Sequence, residues 1–368
     1  MDKVRKKLAF GCMRLPMKDG RVDEEQFCKM ADRFIEEGFN YFDTAHGYIG
    51  GQSETAIRAC VSSRHPREDF LLTDKLTDSY FNKQEDIRPF FEEQLKLCGV
   101  DYFDFYLMHA QGAGNYPKFK RCRAYETAFE LKAEGKIRHV GISFHDTAEV
   151  LEQILTDYPQ VEVVQIQFNY LDYDDPAVQS RKVYEVCRKH NKPILVMEPV
   201  KGGKLANLPA EAARVLNELG GGSPASYALR FAAMQEGMLC VLSGMSSIEQ
   251  MEDNLSFMKD LKPLDERELD AVHKVVDILH TKHLIECTAC RYCTDGCPKQ
   301  ISIPDLFSCY NTREITHDWN ADFYYHEVHT VGHGKASDCI KCGKCERICP
   351  QHLPIRKLLV EVAAAFEK

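Results

Sequence analysis

Eight of the sixteen cysteines in this 368-residue chain fall into two short blocks. CTACRYCTDGCP sets Cys287, Cys290, Cys293 and Cys297 in the spacing C-x2-C-x2-C-x3-C-P, and CIKCGKCERICP repeats it with Cys339, Cys342, Cys345 and Cys349. Three thiolates on one tight loop can cap three corners of an iron–sulfur cubane, while the fourth, stiffened by the proline after it, reaches a second cluster. A structural zinc site would instead draw its four thiolates from two well-separated pairs. Iron is therefore the expected metal. The other cysteines, at 12, 28, 60, 98, 122, 187, 240 and 309, are scattered singly and are expected to be small buried hydrophobes without chemistry.

A second set of reactive types lies in the first third of the chain. Asp43 and Tyr48 occur in FDTAHGYIGGQSE, Lys75 closes LLTDKL and His109 closes YLMHA. A free phenol, with a pKa of about 10, holds its proton too tightly for efficient acid catalysis near neutrality. A neighbouring ammonium would stabilise the phenolate, and a buried carboxylate would keep that ammonium charged and aimed. Tyr48 is then the expected acid, Lys75 its activator, Asp43 the anchor, and His109 the group that orients and polarises a carbonyl oxygen. Taken singly, each has a structural alternative: an Asp43–Lys75 ion pair, a packed tyrosine and a satisfied near-core histidine.

These residues need elements to bring them together. Eight runs rich in branched and aromatic residues (KLAFGCM, GFNYFDTA, DFLLTDKL, YFDFYLMHA, RHVGISFH, VEVVQIQFN, KPILVMEP and GMLCVLSGM) begin roughly 25 to 45 residues apart, the distance a helical crossover between parallel strands requires. Between the first two, EEQFCKMADRFIEEG carries an apolar stripe of Phe27, Met30, Ala31, Phe34 and Ile35 that ends at Gly38. The alternation predicts an α/β class, with a closed (β/α)8 barrel of about 250 residues preferred over an open doubly wound sheet because GxGxxG is absent. Chemistry in such a barrel gathers at the strand ends, where Asp43, Lys75, His109, Ser143, Gln165, Glu198 and Ser243 fall.

At these positions residues 5 to 262 resemble the aldo-keto reductase family, (β/α)8 barrels that reduce carbonyls with NADPH through an Asp, Tyr, Lys, His tetrad. FDTAHGY with Ser53 and Glu54 carries the likeness most strongly, joined by PVKGGKL at 199 to 205 and SGMSSIEQMEDN at 243 to 254. The resemblance implies catalytic roles for Tyr48, Asp43, Lys75 and His109, and carboxamide contacts from Ser143 and Gln165. It places the loop from Pro199 to Leu205, with Gly203 and Lys201 or Lys204, along the pyrophosphate, and Ser246, Ser247 and Asn254 near adenosine. Four positions depart from the family. Phe144 stands where an Asn is usual, Met197 where a ring stacks on nicotinamide, Gly244 and Gln250 where cations clamp the 2′-phosphate, and Ala110 where a Trp follows the catalytic His. Met197 can still lie against a ring. Gly244 and Gln250 bring no charge to a phosphate, which leaves NADH open beside NADPH, and Ala110 implies a wider substrate pocket.

The last 88 residues resemble bacterial dicluster ferredoxins, in an α-helical form because the cysteine blocks lie 41 residues apart. The pattern implies that Cys287, Cys290, Cys293 and Cys349 hold one 4Fe-4S cluster and that Cys339, Cys342, Cys345 and Cys297 hold the other. CPKQISIPDLF and CPQHLPIRKLL form an internal repeat. Two domains are expected, a barrel over residues 1–280 and a ferredoxin-type module over 281–368. Residues 281–368 hold eleven Lys plus Arg and eleven Asp plus Glu, so the clusters would set the local charge. His317, His326, His329 and His333 have no fixed ligand spacing and are expected at the surface or in helix packing, and the sole tryptophan is Trp319.

The net charge of −9 and pI near 5.9 argue against a nucleic-acid partner. No run approaches the roughly 18 apolar residues of a membrane span, and the short LAFGCM after KVRKK is too brief for a secretory core, so a cytoplasmic protein is expected. The sequence thus predicts an NAD(P)-dependent oxidoreductase that reduces a small carbonyl or oxidises an alcohol, whose clusters exchange electrons through a bound flavin or a partner such as ferredoxin or flavodoxin. Two other readings stay open: clusters that only staple the tail, and an electron-transfer or docking module whose barrel has lost catalysis.

Overall fold

A computed structural model describes residues 1, 3–175, 178–281, 284–316, 321–322 and 325–367. His317 and Trp319 lie outside the described residues. Within them the chain forms two compact units, Met1–Pro199 with Ala225–Leu264, and Val200–Pro224 with Asp265–Lys368. This division differs from a single cut at 280. Residues 200–224 join the second unit because helix Ala210–Asn217 packs on helix Glu266–Thr281, and because side chains in the 200–205 loop bond to residues 285–288.

The first unit is a closed barrel of eight parallel strands, all eight of the runs picked out by composition. The strands are β1 (Leu8–Gly11), β2 (Tyr41–Asp43), β3 (Leu71–Leu76), β4 (Phe103–Gln111), β5 (Ile137–Phe144), β6 (Val163–Gln167), β7 (Ile194–Met197) and β8 (Met238–Gly244). Each pairs with its neighbour in sequence, and β1 closes the ring on β8. Helix Glu24–Glu36 shows how local sequence sets the outer layer. Asp23 caps it by accepting from the Gln26 amide, Phe27, Met30, Ala31 and Phe34 are buried, and the chain leaves through Gly38 at φ 82°.

Strand periodicity then decides what faces the barrel interior. Ala9, Tyr41, Leu71, Phe105, Leu107, Val163, Leu195, Cys240 and Leu242 form one buried apolar cluster drawn from seven strands. On β5 the layer is completed by Gly141, where an added Cβ would lie 2.5 Å from Val163 and 2.6 Å from Leu107. Because side chains alternate with a period of two, the inward residues one or two steps further along are Gly11, Asp43, Lys75, His109, Ser143, Gln165, Met197 and Gly244. The apolar layer is thus the floor beneath the polar residues, and parallel strands put them at one rim.

The second unit is mostly helical among the described residues, with helices Ile303–Thr316 and Ile355–Phe366 around a small core of Ile303, Leu306, Phe307, Ile355, Leu359 and Val362. No helix among the described residues is long and apolar enough to cross a membrane.

Candidate functional site: a buried lysine at the barrel rim and two cysteine-lined hollows

Lys75, wholly buried, is the hub of the first unit's site. Its Nζ donates to Asp43 Oδ1 at 2.6 Å and to the Thr44 carbonyl at 2.8 Å, and lies 3.2 Å from Tyr48 Oη. Gln165 Nε2 donates to the other Asp43 oxygen at 2.9 Å, so both carboxylate oxygens have partners. Removing one member of such a buried pair typically costs about 3–5 kcal/mol, because the other charge is left uncompensated. The Tyr48 ring lies edge-on to His109 with centroids 6.0 Å apart, and Lys75 Nζ sits 4.8 Å from its centroid.

The electrostatics correct one expectation from sequence. Burial, and then the Asp43 carboxylate, push the Tyr48 phenol well above its usual 10, with Arg14 partly opposing them. The lowering expected from Lys75 does not emerge, because burial and the Asp43 carboxylate outweigh it. Tyr48 is therefore a protonated phenol throughout the neutral range. His109 is moved the other way: burial first, then the charges of Lys75 and His145, hold its pKa well below 6.5, and the ring is neutral. Thr77 Oγ1 bonds His109 Nδ1 at 2.6 Å. Thr77 was not singled out from sequence, and only its place two residues beyond Lys75 could have pointed to it.

A histidine whose folded pKa lies far below its usual value binds no proton between pH 6 and 8. The rate of carbonyl turnover is therefore expected to show no inflection near pH 6.5, and a stopped-flow pH profile in that window checks it; a clear break there would mean that His109 titrates.

Behind this rim the strands present a second face. Asp74 and Glu54 are fully buried, Glu54 Oε2 bonds His46 Nδ1 at 2.7 Å, and burial followed by the Glu54 charge pushes the Asp74 carboxyl well up. Ser53 Oγ bonds Thr44 Oγ1 at 2.7 Å and donates to the Cys12 carbonyl at 3.0 Å. The residues of the FDTAHGY…SE segment thus brace the loop that carries Tyr48. Cys28 and Cys60, expected to be inert, are instead joined by a disulfide, since helix Glu24–Glu36 packs on the helical segment Arg58–Ser62 with the two Cα atoms 4.4 Å apart. Cys12, Cys98, Cys122, Cys187, Cys240 and Cys309 are buried thiols.

The remaining predicted contacts divide between the two units. In the first, Ser143 lies beside Gln165 in register and its Oγ accepts from the Ala110 amide at 3.3 Å, while Ala110 takes φ 49°. Phe144 is buried, and Met197 is half-buried above the apolar floor. Ser243 points to the helix layer and accepts from Asn254 Nδ2 at 2.8 Å. Ser247 caps helix Ile248–Met258, and Gln250 Oε1 accepts from the Ser246 amide at 2.8 Å. Ser247, Gln250 and Asn254 thus serve the helix and its anchoring. Pro199 ends the first of this unit's two segments.

In the second unit, the loop expected along a pyrophosphate is bound to the segment that enters the first cysteine block. Lys201, 1% exposed, pairs with Glu286 at 2.9 Å, and Lys204 Nζ donates to the Ile285 carbonyl. Gly203 closes a turn on the Val200 carbonyl, and Leu205 is buried. Gly202, at φ 64°, lies so close to Thr288 that an added Cβ would be 2.5 Å from its carbonyl oxygen. Gly202→Ala combines an unfavourable backbone region with that clash. It is expected to loosen residues 285–288 and to speed loss of iron to a chelator several-fold, while the Cys342→Ala variant serves as the benchmark for complete loss of one site.

The cysteines gather in two hollows that cross the sequence blocks. Cys287, Cys290 and Cys293 line one together with Cys349, beside Phe307, Leu353 and Ile355. Cys339, Cys342 and Cys345 line the other with Cys297, beside Ile301 and Leu359. Ile303 lines both. The repeat seen in sequence is also a repeat of backbone. Ala289 and Lys341 have φ 54° and 58°, Arg291 and Gly343 have 66° and 74°, and Gln300 and His352 have 51° and 50°. The amides of Gln300 and His352 turn back onto the carbonyls of Cys297 and Cys349 at 3.0 and 3.1 Å, and helices begin at the matched Ile303 and Ile355. Four soft thiol donors in an apolar setting, with left-handed turns between them, fit an iron–sulfur cluster. Of the histidines, His326 bonds the Phe366 carbonyl at 3.0 Å and His333 the Gln300 carbonyl at 3.2 Å.

Comparison with known proteins agrees with both halves. The Aldo/keto reductase family profile matches residues 7–277, and a 4Fe-4S dicluster domain profile matches 286–354. Among curated proteins, the NADH-specific methylglyoxal reductase of Escherichia coli (strain K12) is 27% identical over 290 residues, covering 66% of this chain and 85% of that protein. An aldo-keto reductase of Mycobacterium avium (strain 104) is 26% identical over 253 residues, covering 67% and 81%. Among solved structures, aldo-keto reductase AKR11C1 from Bacillus halodurans in its holo form superposes with a TM-score of 0.60 at 24% identity, covering 74% of this chain and 92% of that one. The aldo-keto reductase from Klebsiella pneumoniae in complex with NADPH gives 0.60 at 21%, covering 74% and 95%. A closed eight-stranded barrel with this match over most of its length defines an oxidoreductase. The chain belongs to the aldo/keto reductase family and carries a 4Fe-4S dicluster domain after the barrel in sequence.

Proposed function

We propose that the barrel interconverts a small carbonyl and its alcohol with a nicotinamide dinucleotide, and that the dicluster domain exchanges single electrons with a partner such as ferredoxin or flavodoxin. The observation that carries the first half is the Asp43–Lys75–Tyr48 chain, with spacings of 2.6 and 3.2 Å, above an apolar floor. The reduced nicotinamide supplies a hydride to the carbonyl carbon. As that C–H bond forms, the π pair of the C=O moves onto oxygen, and Tyr48 Oη gives that oxygen its proton. The high pKa of Tyr48 is no obstacle, because the developing alkoxide is a much stronger base than a phenolate. Lys75 faces the phenolate left behind, which regains a proton from solvent. In the tautomer with its proton on Nε2, the neutral His109 ring accepts from Thr77 Oγ1 at Nδ1 and hydrogen-bonds the carbonyl oxygen through Nε2–H, fixing the angle of attack.

The second half rests on the two crossed cysteine hollows, both of which Ile303 lines. Each cubane takes one electron, whereas the barrel handles pairs, so exchange between them needs a group that splits the pair, such as a bound flavin. Anaerobic purification followed by addition of NADH and, separately, NADPH tests this reading. Flavin absorbance bands and bleaching of the cluster band with either dinucleotide support coupled exchange. Clusters that stay oxidised with both dinucleotides, and that are also not reduced by ferredoxin or flavodoxin, would leave them as structural staples. That second reading has its own support, since Cys293 and Cys345 are part of the small buried core of this unit.

A further inference from the structure

The internal repeat gives two hollows with the same four thiols, the same left-handed turns and different surroundings. Position by position, Cys287, Cys290, Cys293 and Cys297 match Cys339, Cys342, Cys345 and Cys349. In the same alignment Ala289, Tyr292, Asp295 and Gln351 of the first hollow match Lys341, Lys344, Arg347 and Lys299 of the second. All four cations are exposed, and among the described residues none of them is in an ion pair. Lys299 and Lys344 line the second hollow, and Arg347 reaches back to Gly343, where an added Cβ would lie 3.5 Å from its Nη1. The first hollow has one charged lining residue, Arg291, and both of its Nη atoms donate to Asp305, at 2.9 and 2.6 Å. Access differs in the same sense. Thr288 is 2% exposed beneath Gly202, whereas the matched Ile340 is 57% exposed. Cys342 is the one exposed thiol among the eight, and Ile348 is exposed beside Arg347.

We propose that the face carrying Ile340, Lys299, Lys341, Lys344 and Arg347 docks a small acidic one-electron carrier protein, and that electrons pass between carrier and chain at the hollow of Cys297, Cys339, Cys342 and Cys345. This deepens the proposed electron-exchange reading and rests on it. The exchange moves one electron from the reduced carrier to the cluster, and no covalent bond forms or breaks. Four exposed cations on one face steer and orient an acidic partner, and the exposed Ile340 and Ile348 offer it apolar contact within the charged surround. Holding an anionic cluster does not by itself account for the cations, because the first hollow offers the same thiols on the same turns with its single arginine already neutralised. A nucleic acid is the other polyanion such a face could attract, and the net charge of −9 on the whole chain opposes it.

The test pairs binding with rate. Oxidised holoprotein is titrated calorimetrically with oxidised flavodoxin, and reduction of its clusters by reduced flavodoxin or ferredoxin is followed by stopped-flow absorbance, both at low and at high salt. Lys341→Glu/Lys344→Glu is expected to weaken binding and slow reduction about 10- to 100-fold at low salt, and to flatten the salt dependence. Lys341→Gln/Lys344→Gln, which removes charge without adding its opposite, is expected to fall between that variant and the wild type. Ala289→Glu, the matched change at the first hollow, is expected to leave both measurements unchanged. Iron content and full bleaching by dithionite show that each variant holds its clusters. Charge-reversed protein that binds flavodoxin and is reduced like the wild type would overturn the inference, as would an equal loss in Ala289→Glu. A wild type that dithionite reduces but neither carrier does would instead remove the electron-exchange reading on which it stands.

Discussion

Tyr48→Phe is expected to lower the turnover of carbonyl reduction by about 10²- to 10⁴-fold, the usual worth of a positioned general acid, with iron content and dinucleotide affinity unchanged. The substitution removes one atom. The ring can keep its edge contact with His109 and its place beneath Lys75, and the Asp43–Lys75 pair at 2.6 Å does not depend on the hydroxyl. Lys75 loses a partner at 3.2 Å but keeps Asp43 and the Thr44 carbonyl, so no buried charge is stranded. The loss should therefore fall on kcat and leave KM for the dinucleotide alone. Steady-state kinetics over a panel of small aldehydes and ketones, with iron assayed on the same samples, measures both. Undiminished kcat on every substrate the wild type turns over would mean that another group delivers the proton. Lys75→Met makes a useful contrast, because it leaves Asp43 buried and uncompensated, and it should lower thermal stability as well as rate.

What could be read from sequence follows from how far each feature reaches along the chain. The eight strands were legible because a parallel strand buried on both faces is a short run of branched and aromatic residues, and each needs a crossover of predictable length. The rim residues were legible because parallel closure brings all strand ends to one side, so a polar side chain two residues beyond an apolar inward position must meet the others. Tyr41 to Asp43 and Leu107 to His109 are such steps. Cysteine spacing is local and was equally plain. The matched left-handed turns at Ala289 and Lys341, by contrast, show no sign in residue type, because cluster-binding loops fix backbone and not side chain there.

The features that escaped depend on contacts between distant segments or on burial. Arg14 reaches Gly244 only because β1 closes the barrel on β8, and nothing in either segment announces the other. The same holds for Lys201 with Glu286 and for the Cys28–Cys60 bond, which join positions 85 and 32 residues apart. The Tyr48 shift ran opposite to expectation for a different reason. Counting charged neighbours gives Lys75 its full effect, whereas Asp43 cancels much of it and burial adds a penalty that sequence does not reveal. A site read from residue types is thus reliable for who is present and weak on the net field they create.

The crossed arrangement of the cysteines leads to the second large effect. Cys349 lies in the second sequence block but lines the hollow of Cys287, Cys290 and Cys293. Cys349→Ala is therefore expected to remove the cluster of the first block, halving iron from about eight to about four atoms per chain, given two clusters of four. Double variants make the assignment sharp, since losses within one site do not add whereas losses at two sites do. Cys349→Ala with Cys290→Ala should hold as much iron as either single variant, and Cys349→Ala with Cys342→Ala should hold almost none. Ligation confined to each sequence block would reverse that order. The small core around Ile303, Leu306, Phe307, Ile355 and Leu359 is built against these hollows, so the variant should also unfold the second unit at a lower temperature. The barrel has its own core and its own rim, and carbonyl reduction by added NADH or NADPH should survive in Cys349→Ala while reduction of the clusters by ferredoxin or flavodoxin falls. Undiminished reduction of the cluster that remains would put the entry point for electrons at the hollow of Cys297, Cys339, Cys342 and Cys345.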